Sequence, residues 1–194
     1  MIINKKIIFF DIDDTILVSS TKIYLKNKSG EIIRDFTTKE FDNFSFQKNQ
    51  KDFYFDFSEF NNKNKTISDL HFANPIWKNI KIIKKFLKKG WQLGFITARG
   101  CEQAVFDGLL LFFQKNKISV PLQRELVFAV NDNNSIFSFK EEKTENKKLE
   151  ILKFFLNKEC KIYFLDNNPK NILTIKNFYF ENKVFEKKLF FQKA

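Results

Sequence analysis

The chain has 194 residues, 43% of them hydrophobic and 27 of them phenylalanine, which suits one domain with a sizeable core. No apolar run approaches the roughly 18 residues of a membrane span, no signal-peptide pattern precedes the first strand, and Cys101 and Cys160 make no disulfide framework. The expectation is a reduced, cytoplasmic protein whose net charge of +11, carried by 31 Lys against 3 Arg, reflects AT-rich codon usage more than nucleic-acid binding, since base recognition leans on Arg.

Residues 2–10 form a near-continuous apolar run, as expected of a central parallel strand buried on both faces. The run ends abruptly in Asp11-Ile12-Asp13-Asp14-Thr15. Three carboxylates within four residues repel one another, and gathering them costs free energy unless a cation sits among them. A hard divalent ion such as Mg2+, which prefers carboxylate oxygen, is the natural candidate.

The text changes character over 18–74. Residues 22–25, a turn at Gly30 and residues 31–33 predict a hairpin. The Phe-rich stretch that follows predicts an irregular insertion with no independent core, covering one edge of the site. Asn74-Pro75 predicts a helix start, with Asn as N-cap and Pro in the first helical position. Ile76, Ile80, Ile83 and Leu87 form its buried stripe, and Lys78, Lys81, Lys84, Lys85, Lys88 and Lys89 form a solvated face. Gly90 ends it.

Strands over 91–97, 126–130 and 161–165 then alternate with helices over 101–116 and 146–157, and a short helix and a strand near 189–191 close the chain. This alternation predicts an α/β fold: a Rossmann-like, mainly parallel sheet flanked by helices, with a small insertion after the first strand.

Three strand ends carry chemistry: Asp11, Asp13, Asp14 and Thr15 after the first, Thr97 and Arg99 after the second, Asp166 and Asn167 after the fourth. Open parallel sheets bind ligands at the carboxyl ends of their strands, so these groups should share one crevice. A carboxylate there can attack phosphorus. A second one two positions on, pointing the same way along an extended chain, can protonate the leaving oxygen and then deprotonate water. A nearby hydroxyl can hold a phosphoryl oxygen, and a lysine can neutralise the developing charge.

These residues resemble the motifs of the haloacid dehalogenase (HAD) superfamily of phosphotransferases. Asp11-Ile12-Asp13-Asp14-Thr15 matches its DxDxT signature, Phe95-Ile96-Thr97 looks like its second motif and Phe164-Leu165-Asp166-Asn167 like its fourth. The resemblance covers nearly the whole chain, and the insertion falls where members carry their C1 cap. Tyr54–Phe60, Thr97-Ala98-Arg99-Gly100 and Asp166–Ile172 are also similar to a loose group of HAD-like proteins from phages and intracellular bacteria, whose substrates are mostly unassigned.

The resemblance implies that Asp11 is the nucleophile, that Asp13 is the general acid/base and also contacts phosphate, and that Thr97 holds phosphate. It further implies that Mg2+ is bound by Asp11, the backbone carbonyl of Asp13, and Asp166. The third-motif lysine, catalytic and phosphate-binding, is one of Lys140, Lys143, Lys147 and Lys148. Lys147 is preferred because it follows Asn146 and opens the helical stripe, with Lys148 next. Many members carry a second acid where this chain has Asn167, which should weaken the metal site.

The resulting expectation is a Mg2+-dependent phosphatase acting through an aspartyl-phosphate. The short insertion should leave the site partly open, to a phosphoprotein (phosphotyrosine included), a nucleotide or a nucleic-acid end. A receiver-like signalling domain and a catalytically inactive HAD-like binding module are the competing classes. His71 and Cys101 are expected to be structural, Asp14 to shape its loop, and Arg99 either to contact phosphate or to brace the loop.

Overall fold

The apolar run after the N-terminus folds into β1 (Lys6–Phe10), whose last four residues are buried. The computed structural model describes residues 5–44, 52–137, 139 and 143–194. The chain then leaves the sheet through β2 (Leu17–Val18) and enters the insertion: β3 (Ile23–Asn27), β4 (Ile32–Phe36), α1 (Thr38–Asp42), β5 (Phe53–Asp56), α2 (Ser58–Asn61) and α3 (Lys63–Phe72). It returns through β6 (Asn74–Pro75) to α4 (Trp77–Leu87), β7 (Gln92–Thr97), α5 (Glu102–Lys115), β8 (Val127–Ala129), α6 (Thr144–Asn157), β9 (Lys161–Asp166), α7 (Pro169–Glu181) and β10 (Leu189–Lys193).

Among the described residues the main sheet has five strands in the order β10-β9-β1-β7-β8, all parallel. Strand alternation divides its core in two. Ile8 and Phe10 pack with Phe95 and Leu165 under Ile80 and Ile83 of α4 and Leu109 and Phe112 of α5. Ile7 and Phe9 pack with Phe128 and Phe164 under Ile151, Leu152 and Phe155 of α6 and Ile175 of α7. α3 lies close on α5 because Gly108 has no side chain: a Cβ there would meet Leu70 Cβ at 2.8 Å.

The hairpin forms as the turn residues predict, with Gly30 at φ +82°. Two expectations need correction. Asn74-Pro75 does not open a helix. An X-Pro pair favours extended backbone, and here it pairs antiparallel with Leu17-Val18, closing the neck of the insertion. α4 starts only at Trp77, after Ile76 N–H donates to Ile16 O (2.9 Å).

The insertion also has a core of its own, contrary to expectation. Ile23, Leu25, Phe36 and Phe60 are buried, with Phe41, Phe44, Phe53 and Phe55 packed against them. Its strands form a separate antiparallel sheet, β4-β3-β5. The alternation that marks a half-buried sheet was obscured because both faces of β5 carry aromatic rings.

Candidate functional site

β1 lies between β9 and β7, so its carboxyl end sits beside both of theirs. Asp11 N–H donates to Leu165 O (2.9 Å), which extends the β1–β9 ladder by one step and places Asp11 next to Asp166. Thr97, the last residue of β7, is on the other side and is buried. This is the crevice that strand order creates in open parallel sheets.

Lys148, on α6, lies between the two acids. Its Nζ donates to Asp11 Oδ1 (2.6 Å) and to Asp166 Oδ2 (2.8 Å), and the residue is only 2% exposed. Burial pushes the Asp11 carboxyl up to about 7, against the pull of Lys148 and with a further push from Asp166. Burial also opposes the charge on Lys148, yet Asp11 and Asp166 together hold its ammonium above the ordinary range. Asp166 is further fixed by Asn168 N–H to Oδ1 and Asn171 Nδ2 to Oδ2, both 2.8 Å. Thr15 Oγ1 donates to Asp11 Oδ2 (3.2 Å) and lies 3.1 Å from Asn167 Oδ1, tying the two loops together.

Asp13 is held from the opposite direction. Arg99, fully buried, grips it with both arms of the guanidinium, Nε to Oδ2 (3.0 Å) and Nη2 to Oδ1 (2.8 Å), a geometry only Arg supplies. Ser19 Oγ adds a third bond (2.7 Å). Arg99 Nη2 also donates to Thr21 Oγ1, Thr21 donates to the buried Asp69, and the guanidinium lies 5.2 Å from the Phe60 ring centroid. Arg99 therefore braces Asp13 against the insertion.

The insertion reaches the loops after β1 and β9 directly through α1. Thr38 Oγ1 donates to Asp14 Oδ2, and Asp14 sits in the left-handed region at φ +56°. Asp42 accepts from Asn168 Nδ2 (2.8 Å) and Asn167 Nδ2 (3.4 Å). Burial raises the Asp42 carboxyl above the usual range, and the negative charges of Asp166 and Asp14 add to this. Asp14 is raised as well, by burial first. A cleft of about 1260 Å³ opens here, lined by Asp11, Asp13, Thr97, Lys148 and Asp166 from the main sheet and its helices and by Phe41, Phe44, Phe55 and Phe57 of the insertion.

The structure thus gathers Asp11, Asp13, Thr97 and Asp166, but not Lys147. Lys147 Nζ is exposed and donates to Asn131 Oδ1 (2.9 Å). Lys148 takes the place between the acids because it is in phase with Ile151, Leu152 and Phe155 on the buried face of α6, whereas Lys147 is one residue, about 100°, off that face. That phase was available in the sequence. Lys143 caps α6 at its exposed start, and Lys140 lies outside the described residues. The structure adds Asp42 and Asn171 to these residues. Asn171 follows from its place in the first turn after Pro169, but nothing local marks Asp42. His71 packs on Phe72 at the end of α3, and Cys101 stands before α5; neither lines the cleft.

The oxygens that could hold a hard cation are those of Asp11, Asp166, Asn167 and the Asp13 backbone. Among the described residues no three His, Cys, Asp or Glu side chains converge into a ready-made metal cage. The donors are nevertheless oxygen only, and the carboxylates of Asp11, Asp13, Asp14, Asp42 and Asp166 outnumber the cations Lys148, Arg99 and Lys170 near them. Donor type and surplus charge both fit a hard divalent ion.

No protein-family model matches the chain, and no curated protein is significantly similar. Among solved structures, it is similar to a chain from the Pnkp1/Rnl/Hen1 RNA repair complex, at 12% identity and a TM-score of 0.50, over 97% of this chain. A chain from a second structure of the Pnkp1/Rnl/Hen1 complex gives 12% identity and a TM-score of 0.49 over 98% of this chain. This chain spans 42% and 46% of those chains, less than half of either. The likeness is one of fold. No helix among the described residues is long and apolar enough to cross a membrane.

Proposed function

We propose that the protein is a phosphoric monoester hydrolase of the HAD type, with Asp11 as nucleophile. The observation that carries this reading is Lys148, a fully buried ammonium bridging Asp11 and Asp166 at the ends of adjacent strands. Few structural roles call for so much buried charge, whereas phosphoryl transfer needs a positioned nucleophile and a fixed cation. Asp11 attacks phosphorus through a carboxylate oxygen. Asp13, held in place by Arg99, gives its proton to the departing ester oxygen and later takes one from the water that cleaves the aspartyl-phosphate. Thr97 and Lys148 hold the phosphoryl oxygens. Mg2+, the cofactor proposed here, would be held by Asp11, Asp166 and the Asp13 backbone carbonyl, with Asn167 within reach; when bound it supplies charge that offsets the repulsion between nucleophile and phosphate.

The test is hydrolysis of an aryl phosphate with Mg2+ or with chelator, by the wild type and by Asp11→Asn. Activity should need both the ion and Asp11; turnover undiminished in Asp11→Asn would refute the assignment. A second reading, removal of phosphate from a nucleic-acid end, rests on the fold likeness to a chain of an RNA repair complex. Comparing a phosphorylated oligonucleotide with a phosphopeptide as substrate separates the two.

A further inference from the structure

Resting on the phosphatase reading above, we propose that the cleft selects phosphate carried on an aromatic ring, and specifically a phosphotyrosyl side chain within a peptide. The part of the cleft lining that the insertion supplies is rich in aromatic rings, Phe41, Phe44, Phe55 and Phe57 among them. Phe41 stands edge-on to Phe55 (centroids 5.0 Å apart, 82° between planes) and to Phe57 (5.4 Å, 88°), so the rings brace one another. Phe57 is 41% exposed while lining the cleft. The insertion does not need that ring for its core, which Ile23, Leu25, Phe36 and Phe60 already fill. A planar ring on the substrate would cover this surface with edge-to-face or offset contacts. A serine or glycerol phosphate would leave it bare.

A nucleotide also carries a ring, but charge decides against nucleic acid. Away from Asp11, Asp13, Lys148 and Asp166, the described residues lining the cleft set Asp42, Asp132 and Glu145 against the one cation Lys170, so a polyphosphate backbone would meet more negative than positive charge there. The lysine cluster on α4, including Lys84, Lys85 and Lys88, gathers toward its C-terminal end. That end leads into the start of β7 and so lies toward the amino end of the strand whose carboxyl end carries Thr97. A peptide with one phosphate and no further anions suits the acidic rim, and a cleft of about 1260 Å³ leaves room for residues flanking the tyrosine.

Binding can be measured without turnover by titration calorimetry on Asp11→Asn protein. The ligands are a phosphotyrosyl peptide, its phosphoserine counterpart, a 5′-phosphorylated oligonucleotide and inorganic phosphate. The phosphotyrosyl peptide should bind about tenfold tighter than the phosphoserine peptide. Phe57→Ala should close most of that gap, as should Phe57→Leu, which keeps bulk but loses the flat ring. Equal affinity for the two peptides, or tighter binding of the oligonucleotide, would overturn the proposal while leaving a phosphate site intact. Absence of binding by every phosphorylated ligand would overturn the phosphatase reading and this proposal together.

Discussion

Replacing Lys148 by Met tests the centre of the site. Its Nζ lies 2.6 Å from Asp11 and 2.8 Å from Asp166, in a position 2% exposed. Methionine fills similar space but leaves two buried carboxylates facing each other. Removing one partner of a buried ion pair costs about 3–5 kcal/mol. The site has one way to soften this. Burial already pushes Asp11 up to about 7, and Lys148 is the main group pulling it down. Without Lys148, Asp11 should titrate still higher and take up a proton near neutrality. The loss of stability should therefore approach the full value at pH 8 and be smaller at pH 5.5, and a protonated nucleophile should cost about 100-fold or more in turnover. Urea unfolding in chelator, followed by the fluorescence of Trp77 and Trp91, measures the first; aryl phosphate hydrolysis measures the second. Lys147→Met is the control, expected within about 1 kcal/mol of wild type because Lys147 is only half-buried and its hydrogen bond to Asn131 is exposed. Adding Asp11→Asn to Lys148→Met should recover much of the lost stability. Equal losses in Lys147→Met and Lys148→Met, or a neutral Lys148→Met at pH 8, would refute the reasoning.

Asp11 also predicts a pH dependence in the metal-free protein. Its folded value, about 7, lies above the ordinary 3.8, so folding takes up a proton between the two. Its contribution to stability is therefore full below about pH 3.8, falls as pH rises, and is exhausted above about 7, a change of up to about 4 kcal/mol. The stability difference between wild type and Asp11→Asn should decline over that window and then level off; a difference flat from pH 4 to 8 would contradict it. Arg99→Ala should cost about 3–5 kcal/mol in chemical denaturation, since it strands Asp13 beside a buried Thr21. Arg99→Lys, which keeps charge but loses the fork, should fold and show a lower kcat with KM little changed. A change in KM alone would place Arg99 on the phosphate instead.

The main sheet was legible because its strands obey simple rules: buried parallel strands read as apolar runs, and Gly90 stops a helix. The strand ends gave Asp11, Thr97 and Asp166 for the same reason, as polar residues where an apolar run breaks off. At Asn74-Pro75 the local cap preference favours a helix start, but pairing with Leu17-Val18 more than fifty residues earlier wins, a contact no local pattern encodes. Asn146 favours Lys147 as the residue that opens α6, whereas the buried stripe of α6 points to Lys148. Asp42 was out of reach, because its partners are Asn167 and Asn168, brought near only by the folding of the insertion.

That last contact changes the meaning of Asn167. Read in isolation, the amide weakens an acid-rich strand end. In the structure it has two neighbours of opposite need: its Oδ1 faces the Thr15 hydroxyl at 3.1 Å, and its Nδ2 faces Asp42 at 3.4 Å. An aspartate at 167 would compete with Asp11 for the single Thr15 hydroxyl proton and would set a carboxylate against Asp42, whose own carboxyl is already raised by burial and by Asp166. The acid missing from the strand end is thus matched by one from the insertion, and the two positions are coupled. Asn167→Asp alone should cost about 0.5–1 kcal/mol from two like charges facing each other at a half-exposed contact. Asn167→Asp combined with Asp42→Asn moves the carboxylate across the contact and keeps one donor and one acceptor, so it should recover most of the loss. A double-mutant cycle on thermal stability in chelator gives the coupling directly. Additive effects would mean that Asn167 and Asp42 act independently, and that the insertion does not compensate for the missing acid.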